Sequence, residues 1–252
     1  EAQRRTDQMI EEKLGVSNIA TKSAAWISGT IAGPIISFFR KNGFKIALYI
    51  LGFVFLFKIG EAFLGRMSIV FYKEIGFSKG DIALYSKGIG WITTVVFTLL
   101  GGLFAIRSGV VKAMFISGVL MAGTNLLFAA LAMSGKSEWL FAVAVLLDDI
   151  AAAFATVAFV AFISLLVDRT YTATQYALLA SIGTLGRTTL AGSSGWMVDT
   201  LEKGTDLILF SRFSLSIPSV ENPWAVFFVI TTVMVIPSLI LLWFIRNKLK
   251  LQ

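Results

Sequence analysis

The chain of 252 residues contains no cysteine and no histidine. Without cysteine it can form no disulfide, carries no thiolate nucleophile and offers no thiolate metal site. Without histidine it lacks the side chain that most often shuttles protons near neutral pH, which is also the commonest metal ligand. G-x-S-x-G, P-loop and H-E-x-x-H motifs are absent as well. We therefore expect no enzyme activity, no metal site and no cofactor.

Charged residues are scarce and apolar residues abundant. Charged residues make up 15% of the chain and hydrophobic residues 56%, and the mean hydropathy is +0.80. This composition is typical of integral membrane proteins. The sequence therefore predicts an all-α membrane protein in contact with lipid.

Six segments are predicted to cross the membrane as helices. Each is apolar and long enough, since roughly 20 helical residues span the hydrocarbon of a bilayer. The predicted spans are 44–72, 81–106, 110–133, 138–167, 172–197 and 223–245. The longest connection is 198–222, and there the run LILFSRFSLSIPSVENP is expected to lie on the membrane surface.

The first 43 residues are predicted to form a linker before the bundle of residues 44–252. Residues 1–22 mix charges of both signs, as in a solvated segment. Residues 24–39 are apolar but short, and Gly33-Pro34 is expected to break a helix there. An interfacial helix is favoured over a further span. Since no initiating Met and no signal-peptide pattern are present, we expect the chain to start inside a longer protein.

The net charge of +7 reflects topology more than nucleic-acid binding. In the predicted topology, 13 of the 22 basic residues lie on the side that holds both termini and five on the other side, with four inside spans. Basic residues favour the cytoplasmic side. Both termini are therefore predicted to be cytoplasmic, and no nucleic-acid partner is expected.

Several ionisable side chains fall inside the predicted spans, where charges normally face a protein interior or a wet cavity. They are Lys58, Glu61 and Arg66 in span one, Lys87 in span two, Asp148 and Asp149 in span four, and Arg187 in span five. Spans three and six carry no internal charge, although span three contains Asn125. The order charged, charged, uncharged thus occurs twice. This predicts two three-helix repeats, an organisation common in secondary transporters.

Each charged position has a structural and a functional interpretation. Lys58 and Glu61, three residues apart on one helix face, either neutralise each other or form a pair that responds to protons or substrate. Asp148 and Asp149 are about 100° apart on a helix, so one is expected to face a cavity and the other a neighbouring helix. Arg187 either holds a substrate carboxylate or pairs with one of these aspartates.

Two other basic residues carry weaker signals. Lys87 and Arg66 lie close enough to span ends to extend toward the interface. The charges within the spans sum to +1, which favours an anionic substrate.

Two stretches resemble transporters of the major facilitator superfamily. GGLFAIRSG, residues 101–109, resembles the superfamily's loop signature G-x-x-x-D-R-x-G. Gly102, Arg107 and Gly109 match it, and Ile106 replaces the acidic residue. The run T-A-T-Q-Y-A-L-L at 172–179 is similar to AmpG-type muropeptide permeases.

The element Lys-x-Gly-acid-Ala-Phe at 58–63 is also similar to that family, and the resemblance extends over residues 38–200. It implies the C-terminal six-helix half of a proton-driven inner-membrane importer of anhydromuropeptides, which are small anionic glycopeptides. The N-terminal six-helix half would be its partner.

The expected roles of the residues follow from the resemblance together with the positions of the charges. Proton coupling is assigned to Glu61, Asp148 and Asp149. Substrate binding is assigned to Lys58, Lys87, Asn125, Gln175 and Arg187. Gating is assigned to the loop residues Gly102, Arg107 and Gly109.

Two alternatives to muropeptide import remain. One is a facilitator-type transporter of another organic anion, such as an acetyl-CoA-like molecule or a nucleotide-sugar. The other is a non-transporting membrane module that scaffolds or senses a partner.

Overall fold

The computed structural model describes residues 32–209, 213–217 and 219–247, excluding the side chain of Lys87 and those of the strand residues. The described part of the chain is helical apart from one short β-hairpin. The helices are α1 (Gly33–Asn42), α2 (Phe44–Leu56), α3 (Ile59–Ile75), α4 (Lys79–Ile82), α5 (Gly90–Ser108), α6 (Val110–Ser134), α7 (Glu138–Leu166), α8 (Thr172–Ala191), α9 (Ser194–Lys203) and α10 (Pro223–Ile245). A π-helical segment, Ala83–Ile89, joins α4 to α5.

Five helical segments are long and apolar enough to cross a membrane. They are Phe44–Ile75, Lys79–Ser108, Val110–Ser134, Glu138–Leu166 and Pro223–Ile245. The chain is therefore a multi-pass membrane protein. The other predicted span, 172–197, contains the 20-residue helix α8, which is less apolar and ends before Gly192. Its polar residues include Arg187, which lines a cavity described below.

Two predicted segments outside the long spans have local structure of their own. Pro34 is the second residue of α1, in the first turn, where the N–H that proline lacks has no partner within the helix. The break expected within 24–39 stays a prediction, because residues 24–31 lie outside the described part of the chain. At 10 residues, α1 is too short to span a bilayer. Residues 198–222 contain the end of α9 and an antiparallel hairpin of β1 (Thr205–Leu209) and β2 (Phe213–Ile217), in which Leu207 pairs with Leu215. The location of 207–223 on the membrane surface stays a prediction.

The pairing of the helices agrees with two three-helix units. The first span, α2 and α3, packs on α8 and α10, whereas α7 packs on α5 and α6. The third and sixth predicted spans, α6 and α10, pack against each other. If spans one, two and three change places with spans four, five and six, the contacts of span one with spans five and six become those of span four with spans two and three. The contact between spans three and six stays the same. This is the arrangement expected of a repeated three-helix unit.

Two apolar clusters fill the bundle. One contains Phe53, Phe57 and Phe162, and the other contains Phe71 and Phe128, each with further aromatic and aliphatic neighbours. Between α2 and α3, and along α6 and α7, the change from one cluster to the other coincides with the polar side chains. A polar layer therefore crosses the bundle between two apolar ones.

Candidate functional site

The first membrane-spanning helix is interrupted at Phe57 and Lys58, within the polar layer. The backbone of Lys58 leaves the helical region, with φ −98° and ψ 15°, and α3 begins at the next residue. Glu61 thereby falls in the first turn of α3. A negative charge is favourable there because the N-terminus of a helix is the positive end of its dipole.

Lys58 and Glu61 form a buried ion pair. Lys58 Nζ lies 3.0 Å from Glu61 Oε2, and their side chains are only 7% and 19% exposed. The ammonium group also donates to Thr156 Oγ1 on α7 at 2.8 Å. The expected mutual neutralisation is therefore present in the geometry. The pair also joins α3 to α7. A change in its charge would therefore alter the contact between these two helices.

A cavity of about 550 Å³ opens beside this pair. Four ionisable side chains line it: Glu61 and Arg66 from α3, Asp148 from α7 and Arg187 from α8. Arg66 and Arg187 are exposed to it, and Arg187 also lines an adjoining space of about 160 Å³ together with Lys58. The structure thus brings four predicted site residues, Lys58, Glu61, Asp148 and Arg187, to two neighbouring cavities that share Arg187.

The two adjacent aspartates have different surroundings. Asp148 lines the cavity, and its Oδ1 accepts a hydrogen bond from Thr124 Oγ1 at 3.0 Å. Asp149 faces α5, where its carboxylate lies so close to Gly90 that a β-carbon at that position would collide with it. Among the described residues Arg187 forms no ion pair with Asp148. Of the two aspartates, Asp148 is therefore the one placed to meet a solute.

Asn125 lies behind the cavity instead of lining it. Its side chain is 1% exposed, and its Nδ2 has no hydrogen-bond partner among the described residues. A β-carbon at Gly60 would lie 3.2 Å from that nitrogen, so Asn125 packs close to the start of α3. It adds a polar group near the ion pair but does not face the cavity.

Gln175 lies apart from the cavity and joins α1 to the loop before α8. Its Nε2 donates to the Pro34 carbonyl at 2.8 Å, and its Oε1 accepts from the Asp168 N–H at 2.6 Å. Ser37 Oγ donates to Asp168 Oδ2 at 3.0 Å, and Lys41 Nζ donates to the Val167 carbonyl at 3.2 Å. We call these six residues the α1 clamp.

Asp168 is held as a carboxylate within the α1 clamp. A hydrogen bond from the Thr170 backbone N–H, followed by one from Ser37, lowers its pKa below the ordinary value. Because the pKa is lower in the folded state, its stabilising effect is present above the unfolded pKa of about 3.9 and is lost as the pH falls.

Replacing Gln175 by leucine should release α1 without removing any group from the cavity. The substitution leaves the buried Pro34 carbonyl without its partner, at a cost of about 1–3 kcal/mol, and the partly buried Asp168 N–H without its partner at a smaller cost. We expect faster hydrogen exchange of the Gly33–Asn42 amides and a lower melting temperature. The matched control is Ala173→Leu, which places the same side chain at an exposed position two residues earlier. Equal exchange in the two variants would contradict the clamp.

The three predicted residues of the loop motif also lie away from the cavity. Lys87 belongs to the π-helical segment, and its side chain falls outside the described part. Arg107 is exposed near the end of α5, and Gly102 packs against Val157 of α7. Gly109 separates α5 from α6 with φ +87°, a left-handed conformation that explains the glycine.

In the sequence, Arg66 carries only a weak signal, and nothing distinguishes Thr124 or Thr156. Arg66 sits two turns from the end of α3, where an extended side chain could reach the interface. Arg66 follows Glu61 by five residues, which is about 140° around a helix, so helix spacing did not place the two side chains at one cavity. The two threonines gave no signal of their own, because threonine is common in membrane helices.

Sequence comparison finds relatives of about twice this length. AmpG 4 of Rickettsia conorii is 30% identical over 241 residues, which cover 96% of this chain and 51% of that protein. The anhydromuropeptide permease of Escherichia coli K12 is 27% identical over 221 residues, covering 87% of this chain and 40% of that protein. AmpG 1 of Rickettsia prowazekii is 25% identical over 247 residues, covering 96% and 51%. No family model matches the chain.

A bundle of apolar helices around a charged cavity, with two three-helix units, defines a multi-pass membrane protein of the facilitator type. The chain belongs to the AmpG-type transporter family. It spans about half the length of the curated relatives it matches.

Proposed function

We propose that this chain is the C-terminal half of a proton-coupled importer of anhydromuropeptides that works by alternating access. The observation that carries the proposal is the charged cavity lined by Glu61, Arg66, Asp148 and Arg187 within the bundle. The similarity to the anhydromuropeptide permease of E. coli supports this substrate class.

The cavity chemistry suits an anionic glycopeptide. Arg66 and Arg187 present guanidinium groups to the cavity from two different helices. A guanidinium binds a carboxylate through two parallel hydrogen bonds and stays charged at any physiological pH. We assign both arginines to the peptide carboxylates of the substrate. Lys87, Asn125 and Gln175 are not needed for this contact.

Proton coupling is assigned to the ion pair and Asp148. While Glu61 is ionised, its carboxylate occupies the Lys58 ammonium group at 3.0 Å. Protonation of Glu61 removes that charge and leaves the ammonium group available to a substrate anion in the adjoining space. Since a proton and an anionic substrate then favour the same state, their binding is coupled. Asp148 provides a second carboxylate on the opposite wall, while Asp149 faces α5.

The partner is proposed to be an N-terminal six-helix half of the same transporter. Helix α5 exposes a stripe of apolar side chains at four-residue intervals: Trp91, Val95, Leu99 and Leu103. The matched part makes up about half of AmpG 4 of R. conorii, so that relative contains a second part of about the same length. The second half would cover this stripe and close the cavity. Residues 1–43 would link the halves in the cytoplasm, and the charge distribution favours an inner-membrane protein with both termini cytoplasmic.

Labelled anhydromuropeptide should accumulate in cells that lack their own permease and express the full-length transporter containing this chain. A protonophore should abolish that accumulation, because the proton gradient supplies the driving force. The measurement is uptake of the labelled compound with and without the protonophore, with the protein quantified in the membrane. Absence of uptake from cells that contain the protein would exclude this substrate and favour a different organic anion.

This chain expressed alone serves as the control for that experiment. Six helices offer one wall of the cavity, so the chain alone should give no uptake. Co-expression of the other half as a separate polypeptide should restore it. Uptake by the lone chain would contradict the half-transporter proposal and indicate a homodimer.

A further inference from the structure

A second cavity lies at one end of the bundle, between α6 and α10. Its volume is about 300 Å³, and it forms a groove lined by Phe115 and Ile116 of α6 and by Leu242 and Trp243 of α10. Phe115, Ile116 and Trp243 are 44%, 41% and 52% exposed. In a membrane, these exposed apolar side chains face hydrocarbon. An apolar chain can therefore lie in the groove.

Two basic residues mark one end of this groove. Lys112 is the third residue of α6, and Arg246 directly follows the last residue of α10. The Arg246 guanidinium lies 5.1 Å from the centre of the Trp243 ring, a distance typical of a cation–π contact. Among the described residues, none that lines the groove is acidic. The groove therefore has two positive charges that its own lining does not neutralise.

The position of the two charges identifies what they meet. Both lie at the terminal turns of membrane-spanning helices, and such turns are at the level of the lipid headgroups. Basic pockets between membrane helices on the cytoplasmic side bind anionic headgroups. Lys112 and Arg246 belong to the side that the distribution of basic residues predicts to be cytoplasmic. Neither α6 nor α10 contributes a lining residue to the charged cavity, so the two sites are separate.

We propose that this groove binds an anionic phospholipid. The phosphate lies between Lys112 and Arg246, and one acyl chain runs along Phe115, Ile116 and Trp243. The same charges would attract free phosphate, but free phosphate would leave the apolar part of the groove unfilled. Occupation of the groove would hold α6 against α10, which are the third helices of the two repeats.

The test compares lipid binding by wild type and by the double variant Lys112→Gln/Arg246→Gln of the full-length protein. Native mass spectrometry of the purified protein, titrated with phosphatidylglycerol or with phosphatidylcholine, gives the affinity for each lipid. The variant should lose roughly tenfold or more in phosphatidylglycerol affinity. Each basic residue near the headgroups contributes about 1 kcal/mol to the binding of an anionic lipid, which is about fivefold in affinity. Phosphatidylcholine binding should be equal in both proteins.

The matched control is Arg40→Gln/Arg169→Gln, which removes two exposed positive charges that do not line the groove. It should bind phosphatidylglycerol within twofold of wild type. The charge-conserving variant Lys112→Arg/Arg246→Lys should also retain binding, which separates loss of charge from a failure to fold. Unchanged phosphatidylglycerol affinity in the double glutamine variant would overturn the site. Displacement of the lipid from wild type by an equal concentration of inorganic phosphate would overturn the lipid assignment.

Discussion

The variants Glu61→Gln and Asp148→Asn of the full-length transporter should lose proton-driven accumulation of substrate. Moving one charge across a membrane potential of 100 mV is worth about 2.3 kcal/mol. Since about 1.4 kcal/mol corresponds to a factor of ten, loss of one coupled proton lowers the accumulation ratio about 50-fold. The measurement is the steady-state ratio of internal to external labelled substrate as the external pH is varied. Wild type should accumulate more substrate at lower external pH. In a variant whose missing carboxylate carries the coupled proton, the accumulation ratio should not change with external pH.

Exchange of internal for external substrate distinguishes loss of coupling from loss of the protein. An uncoupled carrier still rotates between its two states with substrate bound, so labelled substrate should exchange in the variant. Glu61→Gln leaves the Lys58 ammonium group buried without a counter-charge, and breaking a buried pair costs about 3–5 kcal/mol. If the single variant does not reach the membrane, the neutral pair Lys58→Gln/Glu61→Gln tests the same carboxylate.

The matched controls are Glu202→Gln and Asp199→Asn. Both residues are exposed on α9, and neither lines the cavity. They replace the same two carboxylates by the same two amides, so they should leave accumulation and its pH response unchanged. A wild-type pH response in both Glu61→Gln and Asp148→Asn would contradict the assignment of either carboxylate to proton coupling.

The membrane-spanning helices could be predicted from the sequence because length and hydropathy are local properties. The polar turn at 107–109 and the segment at 134–137 separate long apolar runs, and the helices begin and end there. The interruption at Phe57 and Lys58 could not be read in this way. Both flanking segments are apolar, and no glycine or proline lies at the break. The Lys58 side chain there donates to Thr156 of another helix, a contact that no local pattern reveals.

The candidate site was predictable only where its contacts are local. Lys58 and Glu61 are three residues apart, so helix geometry alone brought them together. The contact of Thr124 with Asp148 spans 24 residues and depends on the rotation of α6 against α7, which no single-helix pattern fixes. Gln175 was assigned to substrate because it lies in the T-A-T-Q-Y-A-L-L run. Its amide group instead reaches Pro34, 141 residues away.

Gly186→Ala should be among the most destabilising single-methyl additions in the bundle. A β-carbon at Gly186 would collide with the backbone carbonyl of Phe55, where α8 crosses α2. A backbone group cannot move aside by changing rotamer, so the two helices must separate. Overpacking of this kind costs about 1–3 kcal/mol, and the upper end is expected here. The measurement is the melting temperature of the purified full-length protein, read as the loss of its monodisperse peak in size-exclusion chromatography after heating.

The separation of α8 from α2 would also reach the site, because α8 carries Arg187 next to Gly186, and α2 ends at the interruption beside Lys58. Uptake should therefore fall along with the melting temperature. Gly123→Ala is the matched control: it is a glycine within the membrane-spanning helix α6, and a β-carbon there meets no atom within 4 Å. Alanine is favoured over glycine in a helix by about 1 kcal/mol, so this control should melt at the same or a slightly higher temperature. Equal melting temperatures for the two alanine variants would show that α8 and α2 are not in close backbone contact, and the placement of Arg187 beside the ion pair would then lose its support.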